Sequence, residues 1–180
     1  MKTVIGVMGA SAITDPKIES ISEELGMLIA QNGATLVTGA GLGLPYAAAR
    51  GAHQAGGEVF GFSPAMNESE HKQLGLPTNH FDFIIYTGLG YSGRNLLNVR
   101  SSHALIFIGG SIGALNEFTI AYAEDKIIGI AEGTGGFCDH MRDWIRCLEK
   151  PNSRAVIHYG TTPAELVTPI FESIRKQAAE

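Results

Sequence analysis

Several things are scarce in this 180-residue chain, and each scarcity excludes a class of protein. Its two cysteines, Cys138 and Cys147, are too few for a disulfide framework or an all-cysteine zinc site. The six histidines are scattered and show no HExxH spacing, so no metal site is expected, even around Cys138, His140 and Cys147. No apolar run approaches the roughly 20 residues that span a bilayer. The opening run, Met1–Met8, is too short for the core of a signal peptide and has no cleavage pattern. A cytoplasmic protein with no membrane partner is therefore expected. Thirteen basic residues against eighteen acidic ones leave a net charge of -5, which argues against the basic face that nucleic-acid binding needs. With 44% apolar and 17% charged residues, the chain is globular rather than disordered.

Short apolar runs alternate with helix-spaced segments along the whole length. The runs at Thr3–Met8, Ala34–Thr38, Glu58–Phe62, Phe81–Tyr86, Ala104–Ile108, Ile127–Ala131 and Ala155–Tyr159 read as strands of a parallel sheet. Pro16 after Asp15 marks a helix start, and Asn32-Gly33 marks its stop. Thr162-Pro163-Ala164-Glu165 has the spacing of a capping box at the head of the last helix. The alternation predicts an α/β fold: a Rossmann-like, doubly wound sheet of about seven mostly parallel strands with helices on both faces. No break in composition appears, so residues 1–180 are expected to form one domain. Ser63–His80 reads as a loop with a short helix, with Ser63 as a turn residue. Phe137–Leu148 reads as one helix that buries Met141, Trp144 and Ile145, and Gly133–Gly136 as a turn that either covers the site or lies plainly on the surface.

The abundant residue is glycine, 23 in all. Ten of these glycines cluster in four strand-to-helix turns: Gly9; Gly39, Gly41 and Gly43; Gly88, Gly90 and Gly93; Gly109, Gly110 and Gly113. In a doubly wound sheet such turns share the carboxyl edge, where ligands bind. Glycine lets backbone N–H groups approach an anion, and a helix N-terminus adds partial positive charge. A P-loop is excluded because GxxxxGK[ST] is absent. Gly88–Gly93 spells GxGxxG, but no acidic residue lies between Asp82 and Glu117 to hold the ribose of a dinucleotide. That stretch carries Arg94, Arg100 and His103 instead, a basic island in an acidic protein, and it favours a phosphate. Arg94 provides a fork for phosphate. Glu117, the first acid after the gap, stands early in the next helix, where a carboxylate faces the same crevice.

Together these segments resemble the LOG (lysine-decarboxylase-like) superfamily of Rossmann-type proteins, in particular its nucleotide-binding and molybdenum-cofactor-carrier-like branch. The resemblance runs over residues 3–131 and rests on Gly6–Ser11, Thr38–Leu44, Ala49–Gly57, Thr87–Gly90, Arg94-Asn95, Arg100-Ser101 and Gly109–Glu117. It implies ligand binding by Gly9, Ser11, Gly39, Gly41, Gly43, Arg94, Asn95, Gly110, Ser111 and Gly113. It also places Arg94 and Glu117 on the catalytic pair of the family's hydrolases, which release free base from nucleoside 5′-monophosphates. Gly109, Ser111 and Ala114 depart from the family's PGGxGTxxE, and beside Arg94, Gly93 and Asn95 stand where the hydrolases tend to have glutamate and lysine. The primary expectation is therefore a protein that binds a nucleotide or other phosphorylated small molecule, such as a molybdenum-cofactor-like ligand. The alternative is a phosphoribohydrolase. No cofactor is required, no metal is implied, and a homodimer or higher homo-oligomer is what the resemblance implies.

Overall fold

The computed structural model describes residues 2–12, 15–148, 150 and 152–179. Seven strands form one sheet: β1 (Val4–Gly9), β2 (Thr35–Thr38), β3 (Val59–Ser63), β4 (Phe83–Tyr86), β5 (Ala104–Ile108), β6 (Ile127–Ala131) and β7 (Val156–Gly160). They lie in the order β4-β3-β2-β1-β5-β6-β7, and every pairing is parallel. All seven expected strands are present, with no antiparallel member. The helices between them are α1 (Pro16–Gln31), α2 (Leu44–Gln54), α3 (Glu68–Gln73), α4 (Gly90–Ser101), α5 (Ile112–Ala123), α6 (Met141–Arg146) and α7 (Pro163–Ala179).

Strand periodicity sorts the apolar side chains into two cores. Ile5, Val7, Ile106 and Ile108 face α1, α2 and α7, packing with Leu25, Ala48, Leu166 and Ile170. Met8, Leu105, Phe107, Ile128 and Ile130 point the other way, onto Val99 of α4 and Phe118 of α5. This division is why the central strands read as unbroken apolar runs: both faces are covered. β4 is the exception. As an edge strand it leaves Phe83 and Ile85 exposed, and it begins two residues later than the sequence pattern suggests.

Two local expectations are corrected, and a third is given its geometry. Phe137–Leu148 is not one helix: a 3-10 turn over Gly136–His140 precedes α6, and Trp144 is exposed at 43% while Met141 is buried. Trp144 instead stacks on His140 at the surface. Ser63 is the buried last residue of β3, not a turn residue, and its hydroxyl pairs with the buried ring of His71 at 2.8 Å. The Gly133–Gly136 turn is tied down: the Thr134 hydroxyl accepts the Gly109 N–H at 2.8 Å and donates to the Ala131 carbonyl at 2.6 Å.

α1 and α2 approach so closely that a side chain has no room at their crossing. A Cβ on Gly26 would overlap the Ala48 carbonyl, and one on Gly51 the Glu23 carbonyl. Arg50, bound to both Glu19 and Glu23, locks the same pair of helices. Gly26→Val should therefore force the helices apart and cost about 1–3 kcal/mol as overpacking. For a domain this size each kcal/mol is worth about 2–4 °C, so calorimetry should show a Tm lower by several degrees.

Candidate functional site

The strand order reverses direction between β1 and β5, and the connections that leave these neighbouring strands diverge there. Gly9 pairs with Ile108 at this point, and a Cβ on Gly9 would overlap the Ile108 carbonyl. The β1–α1 and β2–α2 loops are joined by the Leu44 N–H, which donates to the Ala10 carbonyl at 2.9 Å. Beyond these strand ends opens a cavity of about 520 Å³. That volume is within the usual range for a small-molecule site, about 300–1,000 Å³. Met8, Gly9 and Ser11 line it from β1 and its loop, Gly39 and Gly41 from the next turn, and Arg94, Asn95 and Glu117 from α4 and α5.

Three helices present their first turns to the cavity: α2 through Pro45, α4 through Tyr91 and Ser92, and α5 through Ile112 and Gly113. None of the three has an acidic residue in its first turn, and none has a side-chain cap. The other long helices are treated differently. Asp15 caps α1, and Thr162 with Glu165 caps α7 reciprocally. Aligned dipoles at three helix ends leave a positive concavity, although the Leu44 N–H of α2 and the Gly90 N–H of α4 are taken by the Ala10 and Pro64 carbonyls and Pro45 has none to offer.

Arg94 lies in the wall of this concavity. Its side chain is 12% exposed, and its guanidinium packs over Gly39, where any Cβ would displace it. One nitrogen, Nη1, lies 3.4 Å from Glu117 Oε1, while the buried Nε has no partner. Glu117 is more enclosed still, at 6% side-chain exposure. Its Oε1 also accepts the Asn98 side-chain N–H at 2.6 Å. Burial pushes the Glu117 carboxyl above the ordinary carboxylate range, against the pull of Arg94 and Asn98. Burial likewise lowers Arg94 from its usual value, opposed by Glu117. Beside them the Asn95 and Asn116 side-chain amides pair at 2.8 Å.

Of the residues singled out by sequence, Gly9, Ser11, Gly39, Gly41, Arg94, Asn95, Ser111, Gly113 and Glu117 line this one cavity. Gly43 and Gly110 shape it from behind. Gly43 is wedged against the Ala10 carbonyl, and Gly110, at φ 141°, faces the Phe137 ring. The Gly109 N–H is already bound to Thr134 and has no hydrogen left for a ligand. Gly88, Gly90 and Gly93 do not line the cavity. Sequence reasoning missed the apolar rim formed by Leu42, Leu74, Leu76, Tyr91 and Ile112, of which Ile112 is 84% exposed. It also missed Asn98, whose only signal is its place one helical turn after Arg94. A shallower groove of about 440 Å³ adjoins the cavity between α4 and α5, lined by Ser92, Asn95, Asn116 and Thr119 without a charged residue. Among the described residues, no group of three or more His, Cys, Asp or Glu could hold a metal ion, and no helix is long and apolar enough to cross a membrane.

Comparison with known proteins agrees with the fold. The SLOG cluster4 family model matches residues 2–167. An uncharacterized protein of Archaeoglobus fulgidus is 36% identical over 122 residues, covering 68% of this chain and 75% of its own. The molybdenum cofactor binding protein of Rippkaea orientalis superposes with a TM-score of 0.78 at 27% identity, over 97% of this chain and 98% of that one. The molybdenum cofactor carrier protein of Chlamydomonas reinhardtii gives 0.76 at 27% identity, over the full length of both chains.

The buried pair is a poor way to stabilise a fold, because desolvating two charges offsets much of their attraction. Glu117→Leu should strand the Arg94 charge and cost about 3 kcal/mol. Arg94→Met combined with Glu117→Leu should recover most of that loss in urea unfolding. Equal destabilisation by the single and double variants would contradict this account.

Proposed function

The chain belongs to the SLOG cluster4 family, and from that premise we propose that it binds a phosphorylated small molecule at the β1/β5 crevice. The observation that carries the reading is the convergence of three uncapped, acid-free helix N-termini on a buried arginine with unused donors. Phosphate meets that need: it accepts backbone N–H groups at helix ends and a guanidinium fork together. The phosphate rests near Ser111–Ala114 and Arg94. The rest of the ligand extends past the apolar rim toward the uncharged groove lined by Asn95 and Asn116. A planar heterocycle suits such walls, apolar on the faces and amide-lined at the edge.

The molybdenum cofactor, a phosphorylated pterin, has these two parts, and two structural neighbours are described as binding or carrying it. A molybdenum-cofactor-like ligand, held as cargo rather than converted, is therefore the preferred ligand, with nucleotides as the broader class. The chain's own residues supply recognition: helix termini and Arg94 for the phosphate, Tyr91 and Ile112 for the ring faces, and the Asn95–Asn116 pair for polar edges. Glu117 fits a binding role. One of its oxygens accepts from Asn98 at 2.6 Å and lies 3.4 Å from the Arg94 guanidinium, which packs over Gly39.

Calorimetric titration with molybdopterin and with nucleoside monophosphates tests the proposal. Arg94→Ala should weaken binding by about 1.5–3 kcal/mol, the worth of a charged hydrogen bond. Unchanged affinity in that folded variant would remove Arg94 from the site. Release of free base from a nucleoside monophosphate, abolished by Glu117→Ala, would replace the binding reading with a hydrolytic one.

A further inference from the structure

A carboxylate in the wall of an anion site is an anomaly. Glu117 lines the cavity whose helix termini and arginine attract negative charge, and ionised it would repel the ligand they attract. The arrangement of its two oxygens differs sharply. Oε1 receives two donors, Arg94 Nη1 and Asn98 Nδ2, whereas Oε2 has no hydrogen-bond partner among the described residues. The Arg94 contact is long for an ion pair at 3.4 Å, so the guanidinium is not committed to the carboxylate, and its Nε is free.

The structure assigns Glu117 a role as a neutral hydrogen-bond donor: on anion binding, Oε2 takes up one proton and donates it to an oxygen of the bound oxyanion. The assignment rests on the crevice being an anion site, and it names how that site handles charge. The balance is simple. One proton leaves the buffer, one O–H bond forms at Oε2, and no other covalent bond changes. Arg94 then meets the anion as an unopposed cation, while Oε1 still accepts from Asn98. Burial already holds the Glu117 carboxyl above the ordinary range, and an anion beside it moves it further the same way.

The surroundings leave few other candidates for such a proton. From α4, Arg94, Asn95 and Asn98 face Glu117, and Tyr91 acts on Arg94. From the β1 and β2 turns come Met8, Gly9, Ser11, Gly39 and Gly41, and Ser111 precedes α5. Among the described residues, no histidine, lysine or aspartate lines the cavity.

The sign follows from linkage. Below the carboxyl pKa of the free protein, Glu117 is already neutral and affinity is greatest. Between the free and bound pKa values, affinity falls as pH rises, up to tenfold per unit, with one proton taken up. Sulfate is a suitable probe because it stays dianionic throughout. Calorimetry from pH 5 to 9, in buffers of different ionisation enthalpy, should show proton uptake and at least a tenfold loss of sulfate affinity in the wild-type protein. Glu117→Gln, permanently neutral, should bind sulfate with no pH dependence and more tightly than wild type at pH 9. Infrared difference spectra should gain a neutral-carboxyl band on sulfate binding to the wild type, and this reading does not need the variant to fold. Sulfate binding that depends on Arg94 but takes up no proton would overturn this inference and leave the anion site standing. No sulfate binding at any pH would overturn both.

Discussion

In a sheet whose strands all run one way, every connection that leaves a strand starts from the same edge, and the one place where neighbouring connections diverge becomes a hollow. Here that place is the seam between β1 and β5. The rest of the site follows from it. The hollow gathers the loop after β1, the turn after β2 and the heads of α4 and α5, elements far apart in sequence. The close approach at the seam needs Gly9, because a side chain would press on the Ile108 carbonyl.

What fills the hollow electrically is a second-order consequence. Helices that start at a sheet edge bring unsatisfied N–H groups with them. Elsewhere in this protein those groups are answered locally, by Asp15 on α1 and Asn67 on α3. Around the hollow no side chain caps α2, α4 or α5, and only backbone carbonyls, Ala10 for Leu44 and Pro64 for Gly90, take up part of the need. The Arg94–Glu117 pair has the same unfinished character: a long contact, an unused Nε, and an unused Oδ1 on the Asn98 that steadies it. Well-packed interiors leave few such atoms, and here two of them sit together around the Arg94–Glu117 pair.

The fold was largely legible because its signals are local. Apolar runs of five or six residues, a proline after Asp15 and the Thr162–Glu165 box each mark an element without reference to the rest. The errors fell where tertiary context decides. Trp144 is apolar in composition yet lies outside the core, because the chain tightens to a 3-10 turn ahead of α6. Of the four glycine turns, the one that spells GxGxxG is the one whose glycines do not line the cavity. Its Gly88 packs on Met66 instead, a contact with no trace in local spacing. The acid-free stretch between Asp82 and Glu117 was the better guide, since charge acts over distance and does not depend on register.

Glycine, finally, has a different meaning here from the one composition first implies. At Gly39 it does more than line the cavity. It leaves a floor flat enough for the Arg94 guanidinium to lie on, so an absent side chain in one helix–strand unit positions a present one in another. Gly110 does the same for the Phe137 ring behind the α5 turn. The cost of such a site is carried by the fold at helix ends that lack side-chain caps, typically about 1 kcal/mol each. A ligand that supplies the missing acceptors restores that stability on binding, so occupancy and fold stability are linked through the same few N–H groups.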